Sequence, residues 1–310
     1  MDVLADILDH TGVTSTLGAR IAAGADWGSW VEPAAPNAAL HAVTSGTAWF
    51  ASAGEPEARQ LLPGDVVLLP TGRAHALGAD PDGVARAVAG RATDHGRTAD
   101  GVVRIGSGPV RSHILCAHYA RDPVVTTSVL ELLPDVVHVH GGADGALSDT
   151  VRLLARELAE PGPATELLLN RLIDILLVQL LRAWVAGAPD DDALPSWLRG
   201  MRDPLVGRAV ALLHAEPARP WTTATLAAAI AVSRTTLSRR FPAAVGETPG
   251  AYLTRWRMDL AARRLARSDE PLETIAGAVG YSSVHAFNRA FRRARGTPPG
   301  RFRAAARAAA

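Results

Sequence analysis

The sequence predicts a multidomain α+β protein: an N-terminal β-barrel of the jelly-roll type, central helices, and an all-α C-terminal domain. Three observations predict it. From Thr16 to about His140 the apolar residues recur with a period of two, and Gly, Pro and Asp interrupt them at short intervals. After Gly145 the apolar period becomes helical. Near the C-terminus, two similar helix pairs follow one another. We therefore expect domains at 1–145, 146–200 and 201–310.

The distribution of charge separates the two ends of the chain. Arg supplies every fixed side-chain cation, because the sequence contains no Lys. Residues 201–310 carry 18 Arg against seven acidic residues, a net charge of +11, whereas residues 1–200 carry a net charge of −10. A basic domain joined to an acidic one is typical of a protein whose basic part binds a polyanion such as nucleic acid.

Cysteine usage and hydropathy predict a soluble, cytoplasmic protein. Cys116 is the sole cysteine of the sequence, so an internal disulfide is excluded. The N-terminal residues MDVLADILDH are acidic and lack the basic region and long apolar run of a signal peptide. Polar residues interrupt the most apolar run, Leu167–Trp184, so we expect no membrane span. The P-loop, G-x-S-x-G and H-E-x-x-H patterns do not occur, and we expect no enzyme activity.

The N-terminal domain is predicted to begin with a short helix, Asp2–His10, and to continue as short strands. Within it, GDVVLLPTGRAH (Gly64–His75) reads as a turn, a buried strand and a second turn that returns His75 to the mouth of the barrel. The candidate strands are Leu40–Ser52, Gly64–Leu69, Ala74–Leu77, Val84–Val88, Val102–Ile105, Ser112–Tyr119 and Val136–His140.

The pattern G-x5-P-x-G-x2-H at Gly64–His75 resembles the second motif of the cupin family. The first cupin motif normally brings two His and a Glu. Here it is reduced to His41 and Gly46, with neither the second His nor the Glu. The resemblance covers roughly Leu4–Gly141 and implies a degenerate cupin domain that senses a ligand.

Histidine and cysteine mark the candidate ligand site of this domain. His41 and His75 fall at the two cupin positions and are expected, with Trp49, to bind an effector. Cys116 and His118 alternate onto one face of a later strand, so one of them is a further candidate metal ligand. Imidazole and thiolate suit Zn²⁺ or another divalent metal. The alternative is that the histidines are hydrogen-bonded pocket or core residues and Cys116 is a small buried hydrophobe.

Two helices are predicted in the centre, Ser148–Ala159 and Ala164–Ala186, separated by Pro161-Gly162-Pro163. A helix that is apolar on more than one face needs more than one partner. The second helix is therefore either buried within the chain or the interface of a homodimer. Its residues Leu169, Ile173 and Leu177 lie off the main apolar stripe, which comprises Leu167, Leu168, Leu172, Ile175, Leu176, Gln179, Leu180 and Trp184.

The second C-terminal helix pair predicts a helix–turn–helix. The helix Leu272–Val279 is followed by Gly280, whose freedom to adopt positive φ suits a tight corner. The next helix, through Arg293, places Phe287 and Phe291 four residues apart on one buried face.

An upstream copy of this pair occupies Ala224–Phe241. Leu237 and Phe241 are its inner anchors, and Ser233 is its candidate N-cap. One long helix, Thr248–Ala266, is predicted to join the two units at a fixed distance. Two recognition helices about 34 Å apart would meet successive major grooves of one DNA duplex.

The two units end in similar residues, GETPGAYL and GTPPGRFR. A duplicated helix–turn–helix with these tails, over about Pro204–Arg303, resembles the AraC/XylS family of transcription regulators, many of which carry a degenerate cupin sensor at the N-terminus. The resemblance implies base-edge contacts from Thr235, Ser238 and Arg239 in the first unit, and from Val284, His285, Asn288 and Arg289 in the second.

Side-chain chemistry supports two roles on these helices. Arg239, Arg289 and Asn288 carry the donors that pair with base edges. The remaining arginines are expected to hold phosphates, which set affinity without reading sequence. These phosphate-binding candidates are Arg234, Arg240, Arg292 and Arg293.

We therefore expect a one-component transcription regulator. Residues 1–145 sense a small molecule or metal, residues 146–200 form a homodimer, and residues 201–310 bind promoter DNA; RNA polymerase is a further expected partner. Two alternatives are a metal-dependent cupin enzyme with an appended DNA-binding domain, and a DNA-binding protein whose β domain serves only as an oligomerisation scaffold.

Overall fold

Two compact units make up the computed structural model, which describes residues 14–32, 37–55, 57–90, 96–97, 102–120, 130, 133–142, 145–187 and 203–308. Within those ranges, one unit spans residues 14–187 and the other spans residues 203–308. The helix expected at Asp2–His10 lies outside the described residues. No helix within these ranges combines the length and apolarity that crossing a bilayer would require.

The described part of the first unit contains eleven strands in two facing sheets, which confirms the predicted β-barrel. They are β1 Thr14–Ala25, β2 Gly28–Val31, β3 Ala38–Ser45, β4 Ala48–Ser52, β5 Arg59–Leu61, β6 Val66–Leu69, β7 His75–Gly78, β8 Gly96–Arg97, β9 Val102–Ile105, β10 Ser107–Ala120 and β11 Val137–Val139. One sheet has the order β11-β6-β3-β10-β1-β9-β8, and the other has the order β2-β7-β4-β5. The β1–β9 pair is parallel, and the other described pairs are antiparallel.

Large apolar side chains from both sheets fill the space between them. Trp27, Phe50, Leu77 and Ile114 all lie in one buried cluster. Because side chains alternate across a strand, the strand neighbours of these inward-facing residues point outward. Trp49 accordingly lies on the other face of β4, in a separate cluster.

Two strand predictions in this unit need correction. Val84–Val88 is not a strand but part of helix α1, Pro81–Val88. The Asp80 carboxylate accepts the Gly83 N–H at 2.7 Å, and Pro81 occupies the first turn, so local capping starts a helix here. The single strand predicted over Leu40–Ser52 is divided into β3 and β4, because Gly46 turns the chain with a φ of 69°.

Helices α2, Ala146–Ala159, and α3, Thr165–Gly187, pack on the seven-stranded sheet. The Tyr119 hydroxyl of β10 donates to the Ile173 carbonyl at 2.8 Å, and the Asn170 side chain accepts from the Leu17 N–H of β1. The face of α3 that meets the barrel differs from the predicted stripe. Its buried residues are Leu169, Ile173, Leu176, Leu177, Leu180 and Leu181, whereas Leu167, Leu168 and Ile175 are exposed.

The second unit is all α, as predicted. Its helices are α4 Pro204–Ala215, α5 Thr223–Ala229, α6 Arg234–Val245, α7 Pro249–Arg267, α8 Leu272–Ala278, α9 Val284–Arg295 and α10 Pro299–Ala308. The long helix predicted at Thr248–Ala266 is α7. It begins after the Thr248 cap, with Pro249 in its first turn.

Helix α7 contributes to two hydrophobic cores. The first core combines α4, α5 and α6 with Tyr252 and Leu253 at the start of α7. The second combines α8 and α9 with Met258 and Leu265 further along the same helix, and Phe302 of α10 packs against it. The two helix pairs are therefore fixed to one shared element.

Candidate DNA interface and ligand sites

The first helix–turn–helix consists of α5 and α6. Ala231 turns the chain between them with a φ of 58°, a left-handed conformation that is uncommon for a residue with a side chain. Ser233 caps α6 by accepting the Thr236 N–H at 3.0 Å, as the sequence predicts. Leu237 and Phe241 are fully buried, which confirms them as inner anchors.

The second helix–turn–helix consists of α8 and α9. Gly280 has a φ of 81°, which confirms its predicted role in the corner. A Cβ at this position would also lie 2.7 Å from the Ala218 carbonyl oxygen, so space and backbone both require glycine. Phe287 and Phe291 are fully buried, with ring centroids 5.6 Å apart.

The outward faces of α6 and α9 carry the residues proposed for DNA. Val284 and Asn288 are half-buried, and the others are exposed: Arg234, Thr235, Ser238, Arg239, Arg240, His285, Arg289, Arg292 and Arg293. In each helix the central arginine, Arg239 or Arg289, lies opposite the buried anchors, and Arg234, Arg240 and Val284 flank the buried face. The faces are therefore open, with arginine as their only fixed charge.

Ion pairing distinguishes Arg240 from the other arginines of these faces. Its guanidinium binds Asp203, with Nε 2.9 Å and Nη2 2.7 Å from the same carboxylate oxygen. Asp203 also caps α4. Arg240 therefore links α6 to α4. Within the described part of the chain, no ion pair involves the other five, Arg234, Arg239, Arg289, Arg292 and Arg293.

Polar contacts also join α7 to both helix pairs. Arg257 of α7 donates to the carbonyl oxygens of Pro217 at 2.6 Å and Arg219 at 2.9 Å, in the segment between α4 and α5. Further along, Asp259 forms a buried ion pair with Arg295 at the end of α9. These contacts tie the segment before α5 and the end of α9 to the same helix.

In the N-terminal unit, His41 connects the two sheets. His41 and Cys116 are paired residues of β3 and β10, and the His41 Nδ1 lies 3.0 Å from the Cys116 Sγ. Its Nε2 lies 2.7 Å from the Nε2 of His75, which belongs to the opposite sheet. The Nδ1 of His75 is 2.8 Å from the Arg73 carbonyl oxygen. All three side chains are buried.

Only one arrangement of protons satisfies this chain when its members are neutral. The Arg73 carbonyl can only accept, so the Nδ1–H of His75 donates to it and the Nε2 of His75 accepts. His41 must then donate from Nε2 and accept at Nδ1 from the Cys116 thiol. Burial favours these neutral forms, because it lowers the pKa of His41 and His75 and raises the pKa of Cys116 to about 12.

The predicted ligand residues converge only in part. His41 and His75 meet through Nε2, but Cys116 faces the opposite ring nitrogen of His41, so a single ion could take all three only if the His41 ring turned. His118 lies two residues beyond Cys116 on β10, and burial lowers its pKa too. Trp49 is not brought to the cluster, because it lies on the outer face of β4.

A separate cavity of about 560 Å³ lies between the seven-stranded sheet and the end of α2. Its polar lining includes Arg20, Ser45, Arg104 and His113. Its apolar lining includes Ile21, Ile114 and Leu158. The volume falls in the range of small-molecule sites. This cavity was not predicted, because its lining comes from four strands and a helix, and periodicity does not specify the register that brings them together.

Comparisons with known proteins agree with this architecture. A family model described as a cupin matches residues 2–186, and one described as a helix-turn-helix domain matches residues 226–305. A "Putative AraC-like transcription regulator" of Streptomyces lividans is 37% identical over 314 residues, 98% of each chain. A protein of the same name from Streptomyces antibioticus is 37% identical over 320 residues, again 98% of each chain.

Among solved structures, the DNA-binding domain of AdpA, described as a global transcriptional factor in complex with a target DNA, is 37% identical. The match covers 34% of this chain and 95% of that one, with a TM-score of 0.33. The tandem helix–turn–helix behind a cupin domain defines a transcription regulator with a DNA-binding domain. The chain belongs to the AraC family of transcription regulators.

Proposed function

We propose that the chain binds specific promoter DNA through α6 and α9, which enter successive major grooves on one face of the duplex. The observation that carries the proposal is the shared helix α7. It spans 19 residues, or roughly 28 Å, and belongs to both cores. This length is close to the pitch of about 34 Å that separates equivalent grooves.

Base reading is assigned to the exposed sides of α6 and α9, away from the buried anchors Phe241 and Phe291. Arg239 in α6, and Asn288 and Arg289 in α9, carry the donors for bidentate contacts with guanine or adenine. The partial burial of Asn288 would hold its amide in place. The other base contacts are assigned to Thr235, Ser238, Val284 and His285. The phosphate contacts are assigned to Arg234, Arg240, Arg292 and Arg293, and Asp203 holds Arg240 in place through its ion pair.

Genome-wide footprinting with the purified full chain tests this assignment. We expect protected sites that contain two contacted blocks, separated by about one helical turn. In an Arg289→Ala variant, loss of the block contacted by α9 while the block contacted by α6 is kept would support separate base reading by the two helix–turn–helix pairs. A wild-type footprint of one block, or none, would contradict the proposal.

We further propose that the cupin-like unit senses a small organic anion with an apolar part. The cavity beside α2 combines Arg104 and His113 with Ile114 and Leu158. A carboxylate or phosphate would be held by the Arg104 guanidinium, and an apolar portion would lie against Ile114 and Leu158. An effector changes regulation only if it binds one arrangement of the protein better than another.

Thermal-shift and calorimetric titrations of the full chain with a panel of carboxylates and phosphate esters test this site. A ligand of this cavity should bind the Arg104→Ala variant at least tenfold more weakly and a His75→Gln variant equally well. Weaker binding by His75→Gln, with Arg104→Ala unchanged, would instead assign the effector to the interior cluster of His41 and His75. Binding that neither variant weakens would exclude both sites.

The metal alternative rests on His41 and His75, with Cys116 or His118 as the third ligand. Zn²⁺ held by the two imidazoles would take the place of the proton that His41 donates. Cys116 could join them only if the His41 ring turned. Elemental analysis of the purified full chain tests it. Stoichiometric metal that is lost in a His75→Gln variant would support the site, and a metal content equal in both proteins would contradict it.

A homodimer through α2 and α3 is the proposed assembly. Leu168, Leu172 and Ile175 follow at helical spacing on the side of α3 away from the barrel. Leu168 and Ile175 are exposed, as is Leu153 of α2. A second copy of the chain would cover these side chains. Analytical ultracentrifugation should give a dimer for the wild type and a monomer for Ile175→Glu. The control Val88→Glu changes an exposed apolar residue of α1 in the same way and should remain dimeric. RNA polymerase is the proposed partner on the promoter.

A further inference from the structure

Three metal-binding side chains meet where the chain leaves the barrel for α2. Asp65 directly precedes β6, His138 lies in β11, and His140 directly follows it. β6 and β11 are antiparallel neighbours, and their register pairs Val66 with Val139. One step further, the same register sets Asp65 opposite His140, and the period of two places His138 on the same side.

The distances match those between ligands of one ion, and the contact between His138 and Asp65 is also a long hydrogen bond. The Asp65 Oδ2 lies 3.3 Å from the His138 Nε2 and 3.5 Å from the His140 Nδ1. Charge-assisted N–H···O bonds are shorter, about 2.7–2.9 Å. Around a tetrahedral Zn²⁺ with bonds of about 2.0–2.1 Å, neighbouring ligand atoms lie about 3.3 Å apart. All three ligand atoms fall within 4.8 Å of one another.

The carboxylate is held in place by the backbone. The Asp65 Oδ1 accepts the Gly141 N–H at 2.7 Å, and Oδ2 accepts the Leu62 N–H at 3.0 Å. Gly141 also permits close approach of the two segments, because a Cβ there would lie 2.4 Å from the backbone of Gly64. Such second contacts fix the orientation of a ligand before metal arrives.

Exposure changes in steps across the cluster. The side chain of Asp65 is 2% exposed, that of His138 is 11% exposed and that of His140 is 79% exposed. An ion would therefore have a buried anionic ligand on one side and solvent on the other. This arrangement provides an entry path and leaves a coordination position for water.

We propose that Asp65, His138 and His140 bind one divalent transition-metal ion, with Zn²⁺ the best match to two imidazoles and a carboxylate. The site is separate from the interior cluster of His41, His75 and Cys116. It joins the turn before β6 to the segment that leads into α2. Metal occupancy would stiffen the connection between the barrel and the helices proposed for dimerisation.

Zinc titration of the untagged, chelator-treated full chain tests the proposal, with isothermal calorimetry as the readout. We expect one site whose affinity falls at least tenfold in His140→Gln and in Asp65→Asn. His140 is the safer position, because its exposed side chain contributes little to the core. The control Asp82→Asn removes an exposed carboxylate from α1 of the same unit and should bind zinc like the wild type. Equal affinity of His140→Gln and wild type would overturn the proposal.

Cobalt substitution identifies the ligands independently. A Co²⁺ complex of this nitrogen and oxygen site should give visible d–d bands without the near-ultraviolet thiolate band that a Cys116 ligand would add. The spectrum should persist in His75→Gln and disappear in His140→Gln; a thiolate band would overturn the assignment. Because neither measurement involves DNA, the result stands apart from that of the proposed promoter binding.

Discussion

Ala231 and Gly280 occupy the same corner of the two helix–turn–helix units, and both have left-handed backbones, with φ of 58° and 81°. Left-handed geometry costs a residue with a Cβ about 1–2 kcal/mol, and glycine avoids that cost. The first unit therefore contains strain that the second does not.

Exchanging the two residue types should move stability in opposite directions. Ala231→Gly should stabilise the protein by up to about 1 kcal/mol, because relief of strain exceeds the added entropy of the unfolded chain. Gly280→Ala should destabilise it by at least about 2 kcal/mol, since the new Cβ also meets the Ala218 backbone. Denaturant titrations measure both, and equal signs would contradict this account of the corners.

Arg289→Ala should weaken binding to a cognate site by about 1–3 kcal/mol, because one bidentate base contact is lost. The loss should concentrate on the base pair that Arg289 reads, so the variant should also tolerate changes there. Arg208→Ala removes the same charge from α4, outside the recognition helices, and serves as the control. Gel-shift titrations at fixed salt compare them, and equal losses in the two variants would reduce Arg289 to a general electrostatic role.

Arg295→Met should destabilise the protein by about 3 kcal/mol, because it leaves the Asp259 carboxylate buried without its partner. Burial raises the pKa of Asp259, and the nearby charges of Arg295, Arg255 and Arg263 oppose that rise. The two remaining arginines should keep the loss at the low end of the usual range. Calorimetric melting provides the measurement.

A paired replacement provides the control for this ion pair. In Asp259→Leu/Arg295→Met no buried charge is left unpaired, so stability should return to within about 1 kcal/mol of the wild type. A double variant as unstable as Arg295→Met would show that packing, and not the charge pair, accounts for the loss.

Acidification should destabilise the barrel. Burial lowers the pKa of His41, His75 and His118 below the unfolded value of 6.5. The unfolded chain therefore binds protons first, and stability that is complete above pH 6.5 is lost as the pH falls towards the folded pKa values. Each histidine adds a slope of up to about 1.4 kcal/mol per pH unit.

Hydrogen-exchange mass spectrometry of β10 peptides in chelator, between pH 7.5 and 5, measures this loss after correction for the intrinsic exchange rate. His41→Gln removes one titrating group and should reduce the slope, whereas Cys116→Ser leaves the histidines in place and should keep it. A stability of β10 that does not change over this range would contradict the pKa shifts attributed to burial of these rings.

Local signals predicted the C-terminal unit better than the barrel. Helical spacing is enough to place Phe287 and Phe291 on a buried face, and the turn chemistry of Gly280 sets the corner. In the barrel, strand periodicity indicated the two faces but not which residues meet. Trp49 was therefore expected at the ligand site, although it lies on the other face of β4. The apolar run at Val84–Val88 resembled a strand but forms a helix, because Asp80 and Pro81 start one there.

The proposed sites that periodicity could not predict bring together residues far apart in sequence. Asp65 and His138 are 73 residues apart and meet only because β6 and β11 are neighbours at one edge of a sheet. The cavity beside α2 depends likewise on the register of four strands. Sequence spacing contains no information on such pairing unless a turn fixes it.

Because α7 closes both cores, neither helix pair has a complete core without it. Helix α7 therefore sets the rotation between α6 and α9, the two helices proposed to read DNA. Each base pair inserted between the two contacted segments of an operator rotates the distal groove by about 34°. Operators of this protein should therefore accept base substitutions in the spacer and reject single-base-pair insertions or deletions there.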